Sequence, residues 1–212
     1  TFSARFTPGT AASAVWHALE EGDELPSGIE GRFIKAFRTR HYVDDEVTQP
    51  PRSLGYHLIW RKQKVRSEYR HLPQAELDAL RAEVGREGIT EPIDEKWATI
   101  GGDGAPLDPA SVAGAKLLLH EATFLSADDY DAEDAGEDVG HIHSTVEDAL
   151  ALAREAEVEA AVLYHVSTRY TDAEIRDAVR GVAQRLDLKA PVWVALPRRV
   201  YWDLLQERPV WG

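Results

Sequence analysis

From about residue 115 onward, apolar runs alternate with amphipathic stretches. Residues 115–119, 160–164 and 192–196 are short apolar runs bounded by polar residues, the pattern of buried strands. Between them the spacing becomes helical. Val146, Ala149, Leu150 and Ala153 form one apolar stripe after Ser144-Thr145, with Glu147 three residues beyond Ser144 to complete a capping box. Ile175, Val179, Val182 and Leu186 form a second stripe after Thr171-x-x-Glu174. Strand, helix, strand, helix, strand in this order predicts an α/β layered fold. Upstream the signal is weaker. Residues 2–6 alternate like a short strand, and residues 10–20 have the pattern of a short helix ending near Gly22. Residues 32–40 alternate apolar and basic, 54–60 read as another strand, and Arg61 to Lys64 as a basic turn. Residues 73–84 predict a helix with Leu77, Leu80 and Val84 on one face and Pro73 in its first turn. Residues 85–114 look loop-rich, with the sharpest turn at Gly101-Gly102-Asp103-Gly104.

Composition narrows the class. A chain of 212 residues that is 43% hydrophobic can bury the core of one domain, so residues 1–212 are read as a single domain and disorder is excluded. No apolar run approaches the ~18 residues of a membrane span. The absence of cysteine excludes disulfides, thiolate metal sites and cysteine nucleophiles, and with no targeting signal visible it fits the cytoplasm. Methionine is also absent and position 1 is Thr, which reads as a processed or truncated piece. The net charge of −13 argues against wrapping nucleic acid, but the charge is uneven. Residues 32–70 hold ten basic and four acidic residues, +6 locally, which leaves −19 for the remainder. Such a patch could steer a phosphate chain, or be the solvated face of a hairpin. The acidic run between Ser126 and Asp138 lacks the spacing of a calcium loop and reads as solvated surface.

Polar residues just beyond apolar runs mark where α/β folds place their chemistry. Asp103 follows Ala98-Thr99-Ile100 in the Gly-rich turn, His120-Glu121 follows residues 115–119, and His165 follows residues 160–164. His141 and His143, two apart, point the same way if extended. Imidazole nitrogen with carboxylate oxygen suits zinc, manganese or iron(II), or an acid–base site.

Four motifs then occur in order: Gly102-Asp103-Gly104, Leu119-His120-Glu121-Ala122-Thr123-Phe124, His143-Ser144-Thr145, and His165-Val166-Ser167-Thr168-Arg169-Tyr170. Over about residues 32–170 the chain resembles the ribonuclease Z family, metallo-β-lactamase-fold phosphodiesterases that trim the 3′ ends of tRNA precursors. His41, shortly before Ser53-Leu54-Gly55-Tyr56, resembles a metal-binding His in an earlier strand of that family. The resemblance implies an αββα sandwich, of which this chain supplies the second sheet with its helices and part of the first. It implies zinc in a two-metal site, with manganese or iron as alternatives: Asp103 bridging, with His165 and His41 as further ligands. Glu121 and His143 would handle the proton of the leaving oxygen, and Ser167 and Arg169 would contact substrate. RNA is the implied partner, and a homodimer the implied assembly. Two departures qualify this. The family's His-x-His-x-Asp-His string occurs nowhere in the chain, and Gly104 stands where the family has Thr. Three readings follow: the C-terminal portion of a longer enzyme or one complemented by another chain, a binding or regulatory module with an incomplete metal site, or a hydrolase of a small phosphodiester or ester.

Overall fold

A computed structural model describes residues 17–41, 53–132 and 143–212, without the side chains of residues 130–132. The strand expected at residues 2–6, most of the helix expected at 10–20, the acidic loop before Ser53, and His141 lie outside these residues. Residues 17–20 are irregular.

Seven strands form one mixed sheet in chain order: β1 (Glu24–Pro26), β2 (Arg32–Arg38), β3 (Leu54–Val65), β4 (Thr90–Ile100), β5 (Leu117–Glu121), β6 (Ala160–Tyr164) and β7 (Val192–Val194). The first four pair antiparallel, and β4 to β7 run parallel. Helices α1 (Gln74–Ile89), α2 (Pro109–Val112), α3 (Val146–Glu155) and α4 (Asp172–Arg185) lie between the later strands. A sheet with its helices is the α/β architecture expected.

The parallel half is built as its periodicity predicts. Helix α3 connects β5 to β6, and α4 connects β6 to β7. Register places Leu118, Ala161, Leu163, Val192 and Val194 on one sheet face, where they share a buried cluster with Val146, Leu150, Ile175 and Val179 of the helices. Each fully buried Leu or Ile stabilises the fold by about 1.5–3 kcal/mol. Leu117, Leu119 and Trp193, on the opposite face, are only half-buried. The box at Thr171 and Glu174 caps α4 as predicted. For α3 the box sits one residue later than expected, between Thr145 and Asp148. The reason is that Ser144 is buried and its hydroxyl donates to the Gly104 carbonyl (2.8 Å), so it is not available to cap.

The antiparallel half departs further from expectation. β3 runs straight through the supposed basic turn, and β4 occupies much of the region read as loop. The strand β4 escapes an apolar search because charged cross-strand partners hold it. Arg61 pairs with Asp94 (2.7 Å) and Glu24 (3.0 Å), while Lys62 and Lys64 both pair with Glu95 (2.6 and 3.3 Å). Arg38 pairs with Glu21 and Arg70 with Glu91. These carboxylates come from outside residues 32–70, so the local excess of positive charge is largely neutralised in three dimensions. Between β3 and β4, helix α1 breaks at Gly85, whose φ of 76° is unhelical, close to where the sequence ends it. Its stripe packs weakly: Leu77 and Leu80 are half-buried and Val84 is exposed. The short α2, capped by Asp108, leads into β5.

Candidate metal centre

The carboxyl ends of three adjacent parallel strands converge, the position at which open α/β sheets bind ligands. β4 runs into the turn that carries Asp103, β5 ends on Glu121, and β6 is followed at once by His165. His143 arrives from the segment that enters α3. The hydroxyl of Tyr164 donates to the Gly102 carbonyl and so ties the end of β6 to the Asp103 turn. Burial, and then the nearby Glu121 and Asp103, push that phenol above its ordinary pKa.

Glu121 is the organising group. It is fully buried, and its two oxygens accept from five donors. Oε1 accepts from the amides of Ser144 (2.8 Å) and Gly104 (3.3 Å) and faces His143 Nδ1 (3.2 Å). Oε2 accepts from the Thr123 amide (2.7 Å) and hydroxyl (2.8 Å). One side chain thus joins the Asp103 turn, the end of β5 and the His143 segment. Gly104 is required by close approach: a Cβ there would overlap the Arg40 carbonyl. The Thr that the family has at this position therefore could not be accommodated in this backbone.

Around that anchor, His143 Nδ1 lies 3.0 Å from Asp103 Oδ1, and His165 Nδ1 lies 3.4 Å from the same oxygen. Hydrogen bonding to Asp103 and then to Glu121 outweighs burial and pushes the His143 imidazole up to about 10. Burial alone would raise the Asp103 carboxyl. The hydrogen bond from His143 and the charges of His165, His143 and His41 together hold it below the usual carboxylate range. The two imidazole rings stack with centroids 5.7 Å apart, and Phe124 meets His143 edge-on at 6.1 Å. His165 adopts a left-handed backbone (φ 58°), which costs a non-glycine residue roughly 1–2 kcal/mol. Strain of this kind is typical of functional positions.

Other residues singled out in the sequence fall nearby. The His41 ring stands edge-on to His143, 5.1 Å between centroids, but is not part of the tightest donor cluster. The Arg169 guanidinium lies over Phe124 (5.3 Å) and its Nε donates to Ser167 Oγ (3.2 Å). Sequence reasoning missed Thr123, although it lies within one of the four motifs. Its hydroxyl donates to Glu121 and sits 2.9 Å from His165 Nδ1, joining the two. Ser144, likewise, reads only as a cap along the chain.

Ligand atoms of Asp103, Glu121, His143 and His165 all lie within 4.8 Å of one another. With Zn–N and Zn–O bonds of about 2.0–2.2 Å, neighbouring donors on a tetrahedral ion stand about 3.3 Å apart. The 3.4 Å between Asp103 Oδ1 and His165 Nδ1 matches that spacing. Two imidazoles with carboxylate oxygen are also a donor chemistry that zinc, manganese and iron(II) accept. The residues fit a divalent cation. Glu121, with both oxygens taken up by protein donors, is better suited to orienting the cluster than to ligation.

No protein-family model matches the chain. Among curated proteins, the ribonuclease Z of Methanopyrus kandleri is 42% identical over 81 residues, 38% of this chain and 26% of that protein. The tRNase Z TRZ1 of Arabidopsis thaliana is 33% identical over 159 residues, 73% of this chain and 52% of that protein. The ribonuclease Z of Shouchella clausii is 41% identical over 114 residues, 52% of this chain and 35% of that protein. This chain therefore spans about half, or less, of the length of these relatives. Among solved structures, the metallo-β-lactamase fold protein YhfI from Bacillus subtilis superposes with a TM-score of 0.48 at 16% identity, covering 84% of this chain and 52% of that one. With sequence matches of this strength, the chain is a homologue of the ribonuclease Z proteins.

Proposed function

We propose that the chain carries part of a metal-dependent phosphodiesterase site that acts on RNA, a tRNA precursor in particular. The observation that carries this reading is the convergence of Asp103, Glu121, His143 and His165 at the ends of parallel strands, with ligand atoms within 4.8 Å. The names of the relatives, ribonuclease Z and tRNase Z, supply the substrate. Asp103 and His165 hold the cation, zinc by preference, and His41 is the further nitrogen donor. A bound divalent ion would supply hydroxide near neutral pH and offset charge on the phosphate. The remaining work falls to protein groups. His143, whose Nδ1 is occupied by Asp103 and Glu121, presents its other nitrogen as the proton donor to the departing 3′ oxygen. Glu121 fixes that ring, and Thr123 steadies His165. Arg169, positioned by Ser167 and Phe124, pairs with a phosphate oxygen. A second ion would need donors beyond these, since the chain lacks the His-x-His-x-Asp-His string.

The test is incubation with a tRNA precursor that carries a 3′ extension, in zinc or manganese, beside a chromogenic phosphodiester. The expected result is a discrete cut that Asp103→Asn abolishes. Turnover of the chromogenic compound alone would replace RNA by a small substrate. Absence of turnover on both would refute the hydrolase reading for this chain.

A further inference from the structure

A groove of about 730 Å³ lies away from the candidate centre, on the outer side of α4. Arg176, Arg180 and Gln184 recur every four residues and form one wall, while Lys189, Arg208 and Trp211 form the other. Four cations thus line it, and no carboxylate side chain does. Arg180 and Lys189 are partly occupied by Asp177 (3.3 Å) and Asp187 (2.6 Å). Arg176 and Arg208 pair with no carboxylate among the described residues. The indole of Trp211 is fixed by donation from its Nε1 to the Leu188 carbonyl (2.9 Å).

In a chain of net charge −13 a polyanion is repelled by most of the surface, so a groove whose charged lining side chains are all cations stands out. Arg176 and Arg208 differ in this respect from Arg61, Lys62, Lys64 and Arg70, each of which is matched by a carboxylate from another segment. The combination of a positive groove with an aromatic platform is the one that holds single-stranded nucleic acid, through phosphates and base stacking. Position favours the same ligand. α4 begins at Asp172, seven residues after His165, and Arg176 to Gln184 spans about 12 Å of helix leading away from the centre.

We propose that this groove binds the phosphodiester backbone of RNA whose scissile bond lies at the candidate centre, with Arg176 and Arg208 on phosphates and Trp211 beneath a base. The proposal rests on the RNA reading given above. It is tested by the affinity of a fluorescent single-stranded RNA oligonucleotide, measured by anisotropy between 50 and 200 mM salt as the order of magnitude at which counterion release is read. Each phosphate deprived of its cation should reduce the slope of log affinity against log salt by about 0.7. The double variant Arg176→Ala/Arg208→Ala should therefore show a slope shallower by about 1.4, so that its affinity ratio between the two salt concentrations is about sevenfold smaller than that of the native chain. Arg61→Ala/Lys62→Ala/Lys64→Ala, which removes paired cations, should leave the slope unchanged. An unchanged slope in the double variant, or an equal reduction in the triple variant, overturns the proposal. Cleavage that depends on Asp103 while the double variant keeps its slope would overturn the groove alone. A groove-dependent slope without cleavage would overturn the catalytic reading alone. If the native chain binds no RNA at the lower salt, both the groove and the RNA substrate fall, and turnover of the chromogenic phosphodiester then decides the chemistry separately.

Discussion

Replacing Glu121 by Gln changes one oxygen for an NH₂ and leaves the shape almost untouched, so it isolates the hydrogen-bonding role of a fully buried carboxylate. Whichever way the amide lies, its nitrogen faces donors. Turned toward Oε1 it meets the Ser144 and Gly104 amides, and turned toward Oε2 it meets the Thr123 amide at 2.7 Å. The Thr123 hydroxyl can rotate to accept, so the second arrangement is the cheaper one, with one backbone donor orphaned. A buried donor left unsatisfied costs about 1–3 kcal/mol, and a hydrogen bond to a charged acceptor contributes about 1.5–3 kcal/mol. The sum is a loss of about 2.5–6 kcal/mol, a large part of the ~5–15 kcal/mol that holds a typical domain folded. Urea unfolding followed by tryptophan fluorescence measures it, in the presence of a chelator so that metal binding does not contribute. A loss below about 1 kcal/mol at unchanged m-value would refute the view that Glu121 organises the centre.

Thr123→Val removes the hydroxyl that links Glu121 to His165 and should weaken zinc affinity by about 10–100-fold, while Thr123→Ser should restore it; competition with a chromophoric chelator reads both. His57 is buried, its Nδ1 lies 3.0 Å from Thr99 Oγ1, and it stacks on Phe37. Burial first, then Lys96 and Lys35, lower its pKa from 6.5 to about 4. Between those values the unfolded chain takes up a proton that the folded chain refuses. The stabilisation is thus complete above about pH 6.5 and falls away as pH drops toward 4, by at most about 3 kcal/mol, and His57→Gln should flatten the profile in urea titrations. Leu150→Ala, in the core beneath α3, should cost about 2–5 kcal/mol, whereas Leu77→Ala on the weakly packed α1 should cost less than about 1 kcal/mol; equal losses would contradict the packing described.

What could be read along the chain follows from which forces leave a periodic mark. β6 was legible as an unbroken apolar run, and α3 and α4 because apolar burial repeats every three to four residues. β4 was not, because its residues pair as ions across to β3, and charge pairing has no period of its own. The same blindness made residues 32–70 look like a phosphate-steering patch, since Glu21, Glu24, Glu91, Asp94 and Glu95 enter only when the strands come together. At the centre, Asp103, Glu121 and His165 stood out because reactive side chains follow apolar runs, and His143 through its spacing from His141 and its place in a family-like motif. Thr123 and Ser144 did not, as small hydroxyl residues near strand and helix ends look like ordinary turn and cap residues. The groove along α4 was equally hidden. Its cations come from positions 176, 180, 189 and 208, interspersed with acidic residues, and only the helical turn and the returning C-terminal segment gather them.

Metal-dependent chemistry here requires, before anything else, that the cluster at the strand ends be a cation site. Equilibrium dialysis against zinc, followed by elemental analysis of the protein, tests that for the native chain and for Asp103→Asn/His165→Ala. One compact donor cluster should retain about one zinc ion per chain in the native protein, and the double variant should retain none. Equal retention by both proteins, or no retention by the native chain, would contradict the assignment.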